Sequence, residues 1–310
     1  MRSSFIVWAH LLLISSIFHQ AMADKLAFVE GCDIYVADID LEGNIRKIRN
    51  ITNHPACDSD PSWSPDGKRI AFSSNRDGFF NLFIMGANGE NPLPLSREID
   101  SISFDWSPDG KRMIIEGELI GEKGRRKLFI VDNHTGAILR EMLICEISPH
   151  LIGPVKWSPD GRFIACRFWG MREHKIAVID TETWKLRKVT KEGEFGMFDL
   201  SKDGRIAFKG KDNKGFYLKV ITPEGEEIRK YQLPGFISLD TLSWSPSGNR
   251  IIFAGSKKGG KELLYLLDLR TGKIWSTGVK GGRPDWWGEY TAVELLNLFK
   301  TLWGLIKMKE

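Results

Sequence analysis

The chain has 310 residues, 42% of them hydrophobic and 27% charged, with a formal net charge of +4. That balance belongs to an ordinary folded protein and excludes a disordered or collagen-like chain. A charge this mild, with no basic recognition helix and no stacked aromatic motif, argues against a nucleic-acid partner.

Residues 1–23 read as an export signal. Arg2 supplies a short positive start, residues 5–18 are largely apolar, and Ala21, Met22 and Ala23 form a small-x-small cleavage site before Asp24. The apolar stretch is short for a bilayer span and His10 interrupts it, so the mature chain is expected to carry no transmembrane segment. An uncleaved anchor is the alternative.

After residue 24 the chain is periodic. Residues 61–73 (PSWSPDGKRIAFS) return as WSPDGKRMII from Trp106, WSPDGRFIAC from Trp157 and WSPSGNRIIF from Trp244, with a worn copy, LSKDGRIAF, from Leu200. Anchored on Trp63, Trp106, Trp157, Leu200, Trp244 and Trp286, the steps are 43, 51, 43, 44 and 42 residues. A near-constant period of this length marks a repeat architecture.

The repeat describes a hairpin. Pro65 pre-sets φ at the first turn position, Asp66 bonds local backbone, and Gly67 supplies the left-handed conformation. Asp109 with Gly110, Asp160 with Gly161, Asp203 with Gly204, and Gly248 take the same places. A short strand ending in Trp-Ser precedes each turn, and an apolar run such as Ile70, Ala71 and Phe72 follows as a strand covered on both faces. A third apolar strand and a fourth, more polar one complete about 40–45 residues, the content of one propeller blade.

The two ends are complementary. Residues 25–52 start at a second strand, and residues 283–287 (RPDWW) are a first strand with nothing after it. Together they make one blade, which closes the ring and removes free sheet edges. The expected fold is all-β: a six-bladed β-propeller of four-stranded antiparallel blades, closed by the N- and C-terminal strands. Residues 24–287 form the propeller and 288–310 a tail.

The WSPDGKRIAF motif, preceded by Asp58–Pro61 and followed by NRDG and an apolar strand, resembles the TolB-like (WD40-like) β-propeller repeat. The resemblance covers residues 25–287. It implies the fold strongly and the function weakly, because the same blades serve binding scaffolds and the propeller caps of some peptidases. The WD-repeat subfamily fits poorly, since the chain has neither a Trp-Asp nor a Gly-His dipeptide.

Four cysteines in an exported chain allow disulfides. In the blade scheme Cys32 and Cys57 lie in loops on the same face, where a bridge and two separate small hydrophobes are both admissible. Cys145 falls at the end of a fourth strand, and Cys166 replaces a core position.

No catalytic residue set is expected: there is no Gly-x-Ser-x-Gly, no HExxH and no Cys/His zinc spacing. His54, His150 and His174 all fall toward one face, where a metal or catalytic cluster competes with plain solvent exposure. Acidic residues precede several Trp copies (Asp58, Asp60, Asp100, Asp105, Asp199, Asp240 and Asp285), but their offsets vary, which reads against a regular ring of oxygen ligands. No cofactor is expected.

Basic residues gather in the hairpins between second and third strands, including Arg125, Arg126, Arg172, Lys211 and Lys258. With His150 and His174 they mark that face as the candidate partner surface, although solvated hairpins explain them equally. In the tail, Leu295, Leu296, Phe299, Leu302, Trp303 and Ile306 share a helical stripe, so residues 291–307 read as an amphipathic helix that docks on the propeller, on a partner or on a membrane surface. The resulting expectation is an exported, non-catalytic binding module for a protein or peptide, periplasmic or extracellular. The alternative is a propeller enzyme, a hydrolase or lyase acting on peptides or sugars in the central funnel.

Overall fold

A computed structural model describes residues 24–288 apart from 123, 125, 144–150, 170–173 and 192–195. The expected export signal and tail helix, with Cys145, Arg125, His150 and Arg172, therefore lie outside the described residues.

Six four-stranded antiparallel sheets stand around a common axis. Blade 1 runs, from the axis outward, Gly282–Trp287, Asp24–Glu30, Asp33–Ile39 and Ile45–Asn50. The inner strands of blades 2 to 6 are Asp58–Trp63, Ile99–Trp106, Leu151–Trp157, Phe198–Leu200 and Phe236–Trp244. Closure follows the expected pairing of the terminal strands, with Lys25 opposite Trp287, Leu26 opposite Trp286 and Ala27 opposite Asp285.

The turn chemistry repeats almost atom for atom. In blade 2 the Ser64 hydroxyl donates to Asp66 at 2.6 Å and accepts the Arg69 N–H at 2.9 Å, while Asp66 accepts the Lys68 N–H. Ser107 with Asp109 and Ser158 with Asp160 rebuild this network. The turn glycines have φ between 65° and 83° (Gly67, Gly110, Gly161, Gly204 and Gly248), the left-handed region that an L side chain resists. These turns form one face of the ring, here the turn face. Hairpins between second and third strands and blade-to-blade crossings form the other, the loop face.

The core is distributed rather than central. Six apolar clusters sit at the six junctions between neighbouring blades; Phe28 and Ile252 meet in one, Phe72 and Val36 in another. Each second strand is buried on both faces, as in Ile70, Ala71 and Phe72, all 0% exposed. Junctions are also pinned by cations on indoles: Arg69 lies over Trp106, Arg112 over Trp157 and Arg205 over Trp244, at 5.0, 5.3 and 4.7 Å. Cys166 is buried with a free thiol, in the core place that Phe takes in four other blades and Ile115 in the fifth.

Cys32 and Cys57 form a disulfide with Cα atoms 4.4 Å apart, across 25 residues of chain. It ties blade 1 to the strand entering blade 2, where the Asp58 N–H already donates to the Cys32 carbonyl. Replacing both cysteines by alanine should cost about 3 kcal/mol, the scale expected for a loop of this length; urea unfolding of the oxidised protein and the double variant measures it.

Closure gives a second expected outcome. A chain ending at residue 281 lacks the inner strand of blade 1 and the buried Trp286. It should lose at least about 3–5 kcal/mol, the range for one large aromatic removed from a core. An unchanged thermal midpoint would sink the closure model.

Candidate functional site

The residue just before each anchor, five Trp and Leu200, lines the axial channel. Around the ring these are Ser62, Asp105, Lys156, Asp199, Ser243 and Asp285. Most of them also bind the following blade: Asp105 accepts the Trp157 N–H at 2.8 Å, Asp199 that of Trp244 at 2.9 Å, Asp285 that of Trp63 at 2.7 Å, and Ser243 that of Trp286 at 3.1 Å.

Three carboxylates therefore converge on one ammonium. Lys156 Nζ lies 3.6 Å from Asp105 and 3.6 Å from Asp199, with Asp285 in electrostatic range. Burial works against the Lys156 charge, but Asp105, Asp199 and Asp285 outweigh it and hold the ammonium above the usual lysine range. Burial pushes Asp105 upward and Asp285 up to about 6, against the pull of Lys156.

Of the seven acidic residues that precede the anchors, Asp58 is buried against Arg76, Asp100 lies exposed near the start of its strand, and the other five fall into two sets. Asp105, Asp199 and Asp285 share one offset and form the waist. Asp60 and Asp240 sit further upstream and open onto the loop face. A shared offset does exist among three of them, and what it gathers is a lysine. Among the described residues no group of three or more His, Cys, Asp or Glu could hold a metal ion.

The waist divides the axis into two mouths. The turn-face mouth, about 420 Å³, is collared by turn prolines such as Pro65, Pro108 and Pro159 and by the Trp anchors. The loop-face mouth, about 360 Å³, is lined by Asp60, Arg167, Asp240, Thr241, Arg283 and neighbours. Its wall is shaped by bulges: the register breaks between Ser59 and Ser62, Ile152 and Val155, and Leu239 and Leu242 in the inner strands of blades 2, 4 and 6. A bulge re-aims side chains that a regular strand would bury in the sheet.

Asp60 and Arg283 hold equivalent places in blades 2 and 1, each three residues before its Trp. Both adopt φ near 50°, a left-handed geometry that costs a non-glycine residue about 1 kcal/mol or more. The two side chains are hydrogen-bonded across the mouth. Burial raises Asp60, with Arg283 opposing, and burial raises Glu262, reinforced by Asp240. Burial lowers Lys209, whose Nζ donates to the Leu239 carbonyl at 2.6 Å. The mouth is therefore of mixed charge, with cations from blades 4, 5 and 1 and carboxylates from blades 2 and 6.

The basic hairpin residues occupy several blades. Arg126 opens the third strand of blade 3 and is engaged by Glu116 at 3.7 Å and Glu118 at 3.8 Å. His174 opens the third strand of blade 4, opposite Trp169. Lys211 is exposed with its ammonium 5.0 Å from the Phe216 ring, and Lys258 is exposed in the blade 6 hairpin. The axial set was the larger omission of the sequence reading. Its signal was the residue immediately before each anchor, Leu200 included, which reads Ser, Asp, Lys, Asp, Ser, Asp in ring order.

Comparison with known proteins agrees with this fold. The family model for the TolB beta propeller domain matches residues 21–137. Dipeptidyl-peptidase 5 of Porphyromonas gingivalis is 28% identical over 258 residues, covering 76% of this chain and 35% of that protein. The chain thus spans about a third of that relative's length. TolB from Acinetobacter baumannii superposes with a TM-score of 0.68 at 17% identity, over 86% of this chain and 67% of that one. The putative TolB from Agrobacterium tumefaciens gives 0.65 at 19% identity, over 87% and 98%. At these identities the likeness to the solved structures is one of fold.

The waist generates a pH-dependent expectation. Replacing Lys156 by Met leaves three converging carboxylates without their cation, which should cost on the order of 3 kcal/mol near pH 8. Carboxylates whose folded pKa is raised bind protons in the folded state that the unfolded chain has released. Stability therefore falls as pH rises from the unfolded value near 4 through about 6 for Asp285, and more steeply without Lys156. The deficit of Lys156→Met should shrink toward pH 4.5, as read by urea midpoints at the two pH values. An equal deficit at both would exclude the electrostatic account.

Proposed function

We propose that this six-bladed propeller of TolB-like repeats is an exported binding module that holds a protein or peptide partner at the mouth on its loop face. The observation that carries the reading is the mixed-charge wall of that mouth, with Asp60, Arg167, Asp240 and Arg283 around one cavity. Charges of both signs in a concave, partly desolvated site give specificity and register to a polar chain. The turn face offers a collar of prolines on turns of nearly constant length, which leaves less scope for a specific surface. Arg126, Lys211 and Lys258, and the sequence candidates Arg125, His150, Arg172 and His174, would supply the rim.

Export is supported by the pattern of residues 1–23 and by the Cys32–Cys57 bridge, which suits an oxidising compartment. Periplasmic or extracellular placement follows from the same reasoning. Among the described residues no helix is long and apolar enough to cross a membrane.

A second reading takes its support from the relative of 28% identity, which is named a dipeptidyl-peptidase. Under it, the propeller belongs to machinery that acts on peptides. Turnover of chromogenic dipeptide substrates by the purified chain, lost on substitution of mouth residues, would favour that reading.

The binding reading is tested by capture from envelope extract and culture supernatant with three baits. Wild type and a turn-face variant, Lys68→Glu with Lys111→Glu, should retain the same partner. A loop-face variant, Lys211→Glu with Lys258→Glu, should lose it in 150 mM salt and associate about tenfold more slowly, since rim charges act chiefly on association rate. Loss on the turn-face variant alone would place the surface on the wrong side.

A further inference from the structure

Glu116, Arg167 and Lys209 occupy one place in three consecutive blades, the residue after the core positions Ile115, Cys166 and Phe208. Val29, Ser73 and Ala254 stand there in the other three blades. Two of the charged residues reach the inner strand of the next blade. Glu116 Oε2 accepts the Gly153 N–H, and Lys209 Nζ donates to the Leu239 carbonyl.

Arg167 faces blade 5, whose inner strand is cut to three residues, Phe198–Leu200. There its bonding fails. Arg167 Nε is buried and has no hydrogen-bond partner among the described residues. What it keeps is electrostatic attraction to Glu116, which Arg126 shares at 3.7 Å. On the other side of blade 5, in the bulge of blade 6, Thr241 Oγ1 is likewise buried without a partner. Both residues line the loop-face cavity.

Buried donors are normally satisfied, and a guanidinium presents a planar fork that matches a carboxylate. Two donors on the wall of one cavity thus find no acceptor among the described residues, and Glu116 Oε1, itself buried without a hydrogen bond, draws Arg167 electrostatically without bonding it. Asp60 and Asp240 on the remaining wall disfavour a dianion such as phosphate and leave room for a single negative charge. We propose that the loop-face mouth binds a carboxylate of a peptide chain, with Arg167 as the charged donor and the Thr241 hydroxyl as the second. This rests on the partner reading above and narrows it to one chemical group.

The experiment follows the Arg167 Nε–H resonance of the full chain during titration with acetate, and with chloride at matched ionic strength. The resonance is identified by its absence from Arg167→Lys. Acetate should shift it saturably and chloride should not. Followed on the Thr241 amide, acetate binding should weaken about tenfold or more in Arg167→Lys, which keeps the charge and loses the fork. It should tighten in Glu116→Gln, which removes the competing carboxylate. The thermal midpoint of Arg167→Lys should match wild type, because the fold makes no hydrogen bond with Arg167 Nε. Equal responses to both salts, undiminished binding in Arg167→Lys, or a fallen midpoint would each overturn the proposal.

N-acetylated tetrapeptide mixtures without acidic residues then identify the source of the carboxylate by displacing acetate. Displacement by free C-termini assigns the terminal carboxylate. Displacement by amidated peptides carrying one Asp assigns a side chain. Displacement by amidated, non-acidic peptides, or by none of the mixtures, rejects a peptide carboxylate. A captured partner that tolerates Arg167→Lys and excess acetate, yet is lost on Lys211→Glu with Lys258→Glu, would leave the binding reading standing and remove this one.

Discussion

The inner strand of every blade is a sheet edge, and its outward N–H groups have no fifth strand to bind. In this protein the neighbouring blade supplies the missing acceptor. The amide of Trp63 goes to Asp285, that of Trp157 to Asp105, that of Trp244 to Asp199 and that of Trp286 to Ser243. The polar side chain at the axis is therefore a structural requirement before it is anything else. Acceptors in that place bring carboxylates into a narrow channel, the carboxylates call for a cation, and Lys156 is that cation. The waist separates the two mouths, so their distinct chemistry follows from how the edges are sealed.

The fold was legible because its determinants are local. A Ser-Pro-Asp-Gly turn encodes its own hydrogen bonds within five residues, as Ser64, Asp66 and Arg69 do. The matching of residues 283–287 to the start of the chain needed only a count of strands. The axial site was harder to read, since Asp105, Lys156, Asp199 and Asp285 come from four blades and meet only when the ring closes. Their common offset was present in the sequence, hidden among acidic residues at other offsets. The mouth was harder still. Arg167 is distinguished by a buried donor that finds no partner among the described residues, and a missing contact leaves no motif.

The basic hairpins show why exposed charge is a weak guide. Arg126 belongs to a local network with Glu116 and Glu118, and Lys127 to one with Glu122 and Glu141. An exposed ion pair contributes little, so charges paired within these hairpins say less about a partner than the groups held in the mouth.

The blades resemble one another because one unit was reused, and in most respects each interacts with its two neighbours alone, as the six junction clusters show. The waist is the exception. It is a sum over the whole circle, three negative charges and one positive, and no blade contains its reason for the charge it contributes. Losing the repeat that carries Asp105, Asp199 or Asp285 would alter that sum by a whole unit, and losing the one that carries Lys156 would leave it with no cation at all. A repeat that carries one of those four charges is therefore not interchangeable with its neighbours, however alike their turns and cores, because its axial residue is balanced by side chains from other blades.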